Sequence, residues 1–249
     1  MSGFRMAGML VMAATVCAAA IAQQENGTEA SEWTPGLSGG VDVANSYVFK
    51  GMTYNDGLVI QPWGSLSLCA FDLTVWANYD ADDYNGNIKK NETSEVDIRL
   101  TYTFDIGAVR TVAGYVFWIY PNSSLQDDQL ATVDFSCALG EAARLGLYAE
   151  YMTAGTIEQT WYAKPYATYT VEMTEDLSFE LLGQLGYTDN QAHEMADGWM
   201  HYDLKTTAYY KLFSLSAAYV GRLDSDVLPN GEFFYDTEWL FTAGVSFDY

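Results

Sequence analysis

The sequence predicts an all-β protein, a transmembrane antiparallel up-and-down β-barrel of about 12 strands. Three observations lead there. From Gly36 onward, apolar and polar residues alternate with a period of two, in runs of about ten residues, the length a tilted strand needs to cross a bilayer. The segments that join these runs alternate between long and short. The apolar faces carry aromatic residues toward the run ends and aliphatic or small residues at their centres, the distribution of a membrane barrel's two interfacial girdles.

Composition narrows the class. The chain has 249 residues with 11 Lys and Arg against 33 Asp and Glu, a net charge of −22. No nucleic-acid partner is expected, because phosphate binding needs clustered Lys and Arg. The hydrophobic fraction of 49% argues against disorder. Only 18% of residues are charged, while Tyr numbers 19 and Gly 21, a balance that suits a β-protein in contact with lipid.

Residues 1–22 read as a signal peptide. Arg5 supplies the positive charge, Met6 to Ile21 the apolar run, and Ala20-Ile21-Ala22 the small-x-small cleavage pattern before Gln23. Thr15-Val16-Cys17 lacks the small residue that a lipoprotein site carries before its cysteine. Residues 23–35 are polar and acidic, a flexible periplasmic lead-in, and residues 36–249 form the barrel. No later stretch of about 18 apolar residues predicts a membrane helix.

Taken in order, the strands cover about 37–50, 58–68, 71–79, 93–104, 108–119, 129–139, 143–152, 160–172, 177–187, 200–210, 212–222 and 237–248. The longer connections are 51–57, 80–92, 120–128, 153–159, 188–199 and 223–236; the tight turns lie between them, from Cys69-Ala70 to Lys211. Long loops on one rim and short turns on the other is the plan of an outer-membrane barrel. An even strand number puts both termini on the short-turn, periplasmic rim.

Faces follow from the period. In the last strand Trp239, Phe241, Ala243, Val245, Phe247 and Tyr249 oppose Glu238, Thr242, Gly244, Ser246 and Asp248. The girdles set the apolar face outward. Tyr47, Phe49, Tyr79, Tyr151, Trp161, Tyr187, Tyr219 and Trp239 are expected near the long-loop rim, and Phe104, Tyr169, Phe179, Tyr210, Phe213, Phe247 and Tyr249 near the other. The alternation ending at Tyr249 resembles the C-terminal signature read by the barrel-assembly machinery.

The opposite face then collects the pore-lining candidates: Asp42, Lys50, Glu95, Asp97, Arg99, Lys164, Asp203, Lys205, Arg222 and Glu238, with Ser46, Asp72, Asn78, Glu150, Glu180 and Gln184 beside them. Opposed acidic and basic groups tune the selectivity of an aqueous path; a lumen closed by salt bridges is the other reading, since 12 strands lie between a filled barrel and an open one. Asp97 with Arg99, and Asp203 with Lys205, are two apart on one face and are expected to neutralise each other locally. Lys50, Lys164 and Arg222 lack such a neighbour and are the candidates for anion or solute contact. No loop is long enough to mark an obvious plug.

The remaining chemistry is sparse. The external loops are acidic at Asp80, Asp82, Asp83, Asp127, Asp128, Asp189, Glu194, Asp197, Asp224, Asp226 and Glu232, a solvated rim or a place where divalent cations bridge to lipid and lipopolysaccharide headgroups. Asp80 to Glu92 breaks the EF-hand pattern at Tyr84 and Asn85, so no metal site is assigned, and no cofactor is expected. His201 with Asp203 supplies a base and its orienter without a marked nucleophile, and His193 lies in a loop; no enzyme is expected. Cys69 at a turn and Cys137 on an apolar face four strands away are expected to be free thiols.

Ser46-Tyr47-Val48-Phe49-Lys50-Gly51-Met52-Thr53, followed by Asp56-Gly57 and Gln61-Pro62, resembles the N-terminal motif of the TorF family of porins. That family usually has Tyr-Val-Phe-Arg-Gly here; Lys50 keeps the charge and loses the rigid fork of donors. The resemblance continues through Glu95-Val96-Asp97, Gly114 to Tyr120-Pro121 and Tyr202-Asp203. It implies an outer-membrane barrel of porin type. The function expected is passive diffusion of small hydrophilic solutes. The alternative is a non-conducting structural or adhesive barrel acting through its acidic loops.

Overall fold

The computed structural model describes residues 35–84, 86, 88–190, 196–231 and 234–249. The expected signal peptide and nearly all of the lead-in lie outside the described residues, as do His193, Glu194 and Glu232. Twelve strands close an antiparallel barrel: β1 (Gly36–Ala44), β4 (Val59–Leu68), β5 (Phe71–Asp80), β6 (Glu92–Ile106), β7 (Val109–Ile119), β8 (Asp128–Leu139), β9 (Ala143–Ala154), β10 (Trp161–Thr174), β11 (Leu177–Asp189), β12 (Gly198–Tyr210), β13 (Phe213–Arg222) and β14 (Trp239–Asp248). Each strand pairs with its sequence neighbours in the wall, and β1 closes the ring against β14 with Val41 opposite Val245. Closure leaves no open sheet edge, the condition for β-structure to stand in hydrocarbon. No helix occurs among the described residues.

The tight turns 69–70, 107–108, 140–142, 175–176 and 211–212 share one rim with both ends of the barrel; the longer connections share the other. The apolar face points outward. Large side chains that a soluble core would hide are exposed along the wall, among them Leu181, Leu204, Leu215 and Phe241, with Trp161, Trp199 and Trp239 at the long-loop rim and Tyr210, Phe213 and Phe247 at the other. Lipid is the solvent in which that exposure is favourable. Leu204 lies at the centre of β12, and Leu204→Arg is expected to cost about 2–4 kcal/mol of unfolding free energy in lipid vesicles, as measured by urea titration. Lys205→Arg, on the opposite face, serves as the near-neutral control.

The first predicted strand is shorter than expected. The wall strand β1 ends at Ala44, and the chain turns inward there. Asn45 ends the pairing with β14: its amide donates to the Trp239 carbonyl at 3.1 Å and accepts from the Phe241 N–H at 2.6 Å, taking up ladder groups that a continued strand would use. Residues beyond it form a separate two-stranded hairpin, β2 (Tyr47–Phe49) and β3 (Met52–Asn55). Its turn residues Lys50 and Gly51 both have positive φ, 53° and 76°, the backbone of the tight turns that suit right-twisted hairpins. Tyr47 and Phe49 therefore do not join the lipid girdle. Tyr47 is buried, and both pack inside the barrel. The other wall strands begin and end within two residues of their predicted bounds.

Candidate functional site

The hairpin crosses the lumen and touches the inward face of half the wall. At its base, Ser46 donates to the Asn55 carbonyl at 2.6 Å, and Asn55 donates to Asp80 of β5 at 2.7 Å. The Tyr47 ring packs against Trp76 of β5, and its hydroxyl donates to Glu95 of β6 at 2.8 Å. Burial first, then the Glu95 carboxylate, hold the Tyr47 phenol well above its ordinary pKa, so it remains a donor. Phe49 meets Trp118 of β7 edge to face, with centroids 5.5 Å apart.

The tip is the most enclosed part. Lys50 forms an ion pair with Glu150 of β9. Its ammonium lies 4.7 Å from the ring centroids of both Trp118 and Tyr162, and 5.0 Å from Phe49. Gly51 rests on His201 of β12: a Cβ there would stand 2.7 Å from His201 Cβ and 3.0 Å from Leu228 Cδ2. The long connection between β13 and β14 covers the hairpin from outside. The Thr53 N–H donates to the Phe234 carbonyl at 2.7 Å, and the Thr237 N–H to Thr53 Oγ1 at 2.9 Å.

Around the hairpin the upper lumen is packed with apolar groups. Val116 and Trp118 of β7 meet Leu130 and Met152. Ala44, Tyr47 and Val59 form a second group, and Tyr162, Met200 and Leu228 a third. Toward the turn rim the inward residues are polar: small ones such as Ser65, Thr74 and Ser216 alternate with larger ones such as Arg144 and Tyr166, which donates to Asp134 at 2.9 Å. Loop length marked no obvious plug, and the lumen is narrowed instead by a short hairpin tied down by side chains.

A second array supports the tip. Tyr162 O lies 2.9 Å from His201 Nε2, His201 Nδ1 lies 2.8 Å from Asp203 Oδ1, and Gln184 donates to the other Asp203 oxygen. A neutral imidazole with its proton on Nδ1 satisfies both contacts. Gly186 makes room for the ring, since a Cβ there would overlap His201. Sequence reasoning paired His201 with Asp203 and missed Tyr162, which sits 39 positions away on another strand. The array resembles a nucleophile, base and orienter in outline. Its members are enclosed: His201 is 1% exposed, and the Tyr162 ring lies against Lys50. It acts as the seat of the hairpin tip.

The sequence candidates divide between two levels. Glu95, Lys50 and Asp203 belong to the hairpin and its seat. Asp97 lies two positions from Glu95 on the same face of β6, close to the Arg99 charge. Lys164 lies below Lys50 on β10, 5.4 Å from the Tyr148 ring, among the charges of Asp203, Glu150 and Asp134. Asp42 faces inward from β1, with Lys205 as its charge neighbour. Arg222 and Glu238 are drawn into the outer loop: Arg222 donates to Asn230 at 2.6 Å and stacks on Tyr235, and Tyr235 donates to Glu238 at 3.2 Å. Burial, then Glu238, push the Tyr235 phenol up to about 12. Among the described residues neither local pair, Asp97–Arg99 nor Asp203–Lys205, makes an ion-pair contact, and Asp203 turns instead to His201 and Gln184. Lys50 and Arg222, expected without partners, have them. Cys69 and Cys137 are free thiols.

The barrel is similar to solved outer-membrane channels. It aligns with the NanC porin at a TM-score of 0.51 and 13% identity, over 86% of this chain and 99% of that one. It aligns with the COG4313 outer membrane channel from Pseudomonas putida F1 at 0.50 and 9% identity, over 90% of this chain and all of the other. The fold is that of an outer-membrane β-barrel. At these identities the likeness is one of fold, and neither a family model nor a curated protein sequence matches the chain.

Proposed function

We propose that the chain is a porin-like channel of the bacterial outer membrane, passing small hydrophilic solutes by passive diffusion, with the β2–β3 hairpin as its constriction. One observation carries this reading: the inward wall is polar from the turn rim up to the hairpin, and the obstruction above centres on that hairpin, which side-chain contacts hold against the wall. The resemblance of Ser46 to Thr53 to the TorF porin motif supports it, and that motif coincides with the hairpin itself. The Arg5 to Ala22 segment supports export, and the alternation ending at Tyr249 supports delivery by the barrel-assembly machinery. Acidic loop residues such as Asp82 and Asp224 suit a rim that meets lipopolysaccharide through divalent cations. The packed groups around the hairpin favour a second reading, a non-conducting structural or adhesive barrel.

Single-channel recording of the refolded protein in a planar bilayer separates the two. Discrete steps are expected, with a reversal potential in a salt gradient that favours cations, since Glu150 neutralises Lys50 and the inward carboxylates Asp42, Asp72, Asp134, Glu180 and Asp203 outnumber Arg99, Arg144, Lys164 and Lys205. A folded, heat-modifiable barrel without steps would support the non-conducting reading.

A further inference from the structure

We infer that Trp118, Tyr162 and Glu150 form a binding site for the primary ammonium group of a monovalent organic cation, a site that the chain's own Lys50 occupies. Three wall strands contribute one residue each: β7 the indole, β10 the phenol ring and β9 the carboxylate. Each side chain is buried, with residue exposures of 7%, 6% and 3%. Two ring faces at 4.7 Å and one carboxylate oxygen are the elements by which proteins recognise an alkylammonium, whose charge the ring quadrupoles attract and whose N–H groups the oxygen accepts.

The cage is built by the wall and not by the hairpin. Trp118 is packed among Val116, Leu130 and Met152. Tyr162 is fixed through His201 to Asp203. The second oxygen of Glu150 accepts from the Tyr148 hydroxyl at 2.9 Å. The hairpin adds Phe49 and Lys50, and both leave together if the tip withdraws. Withdrawal would strand a buried carboxylate, which is strongly unfavourable unless another cation replaces the lost one. Lys50 is thus an internal stand-in for a solute, and an incoming ammonium can exchange with it. Lys164 faces the same space and disfavours a dication. As a statement about what permeates, this rests on the channel reading; as a statement about binding it does not.

The test titrates n-butylammonium chloride, which matches the lysine side chain, into the refolded full chain in detergent micelles by calorimetry. Lys50→Ala is expected to bind it at least about tenfold more tightly than the wild type, where the tethered Lys50 competes at a high effective concentration. Adding Glu150→Gln to Lys50→Ala should abolish that gain, and sodium chloride should give no binding heat. Equal affinity in Lys50→Ala and wild type, or unchanged affinity after Glu150→Gln, would overturn the inference. If Lys50→Ala does not fold, hydrogen exchange of the wild type decides. n-Butylammonium should speed exchange of the 47–55 amides relative to sodium at equal ionic strength, and no acceleration would overturn the inference. Binding without conductance steps would leave the cage standing and remove the channel reading. Steps without binding would do the reverse.

Discussion

Lys50→Glu is expected to expel the β2–β3 hairpin from the lumen. The substitution replaces an ion pair with two carboxylates inside a cage of ring faces that repel negative charge. Two like charges about 4 Å apart interact by roughly 4 kcal/mol at an effective dielectric constant of about 20, and the lost pair adds about 3–5 kcal/mol. The bonds from Tyr47 to Glu95 and from Asn55 to Asp80 are each worth about 1.5–3 kcal/mol net and that of Ser46 about 0.5–1.5 kcal/mol; they lie at the hairpin base and do not relieve the charge repulsion at the tip. Because the wall ladder is untouched, the barrel should still fold and keep its heat-modifiable gel shift. Two readouts should move together: segment 45–58 should become sensitive to protease added from the loop side, and bilayer conductance should rise. A protease pattern and conductance like the wild type's would show that the pair does not hold the hairpin.

Gly51→Val attacks the same element by shape. Gly51 has a φ of 76°, which a β-branched residue adopts only with strain. An added Cβ would also meet His201 and Leu228 inside van der Waals contact. Together these are expected to cost about 2–5 kcal/mol of hairpin docking, read as accelerated hydrogen exchange over 47–55. Gly51→Asn separates the two causes. Asn tolerates the left-handed backbone and keeps the overlap, so it should fall between wild type and Val. Equal exchange in Gly51→Val and wild type would contradict the seating of the tip on His201.

The barrel was legible in the sequence because its rules are local and repeated. A period of two fixes each strand, and the alternation of loop lengths orients the rims without any knowledge of partners. The aromatic positions, Trp161 and Trp239 above and Phe213 and Phe247 below, decide which face meets lipid. The hairpin was hidden by the same rules. On the apolar face only Asn45 interrupts the series Val41, Val43, Tyr47 and Phe49, so the first strand reads as longer than it is, and Tyr47 and Phe49 have the spacing of girdle aromatics. What separates them from the girdle is the turn at Lys50-Gly51, flanked by matching three-residue runs, Tyr47-Val48-Phe49 and Met52-Thr53-Tyr54. That is a hairpin signal too short to outweigh a ten-residue period.

The partners at the site were beyond sequence for a different reason. Glu150 lies 100 positions from Lys50, and Tyr162 reaches His201 through the register of β11, where Gly186 opposes His201 and Thr188 opposes Tyr162. Such contacts depend on barrel closure, which places distant strands across a lumen from one another. The inward Val116 and Trp118 also break the expectation of a polar lining. They form the apolar bed on which Phe49 lies.

The most direct test of the central claim, that this hairpin constricts the channel, is the single-channel conductance of the chain lacking residues 46–56 beside that of the wild type. Ala44 and Val59 are already paired, so Asn45, Gly57 and Leu58 remain as a three-residue connection of a length that hairpins accept. The deleted chain is expected to give steady steps several-fold larger than those of the wild type. Equal conductance in the two proteins would contradict the account.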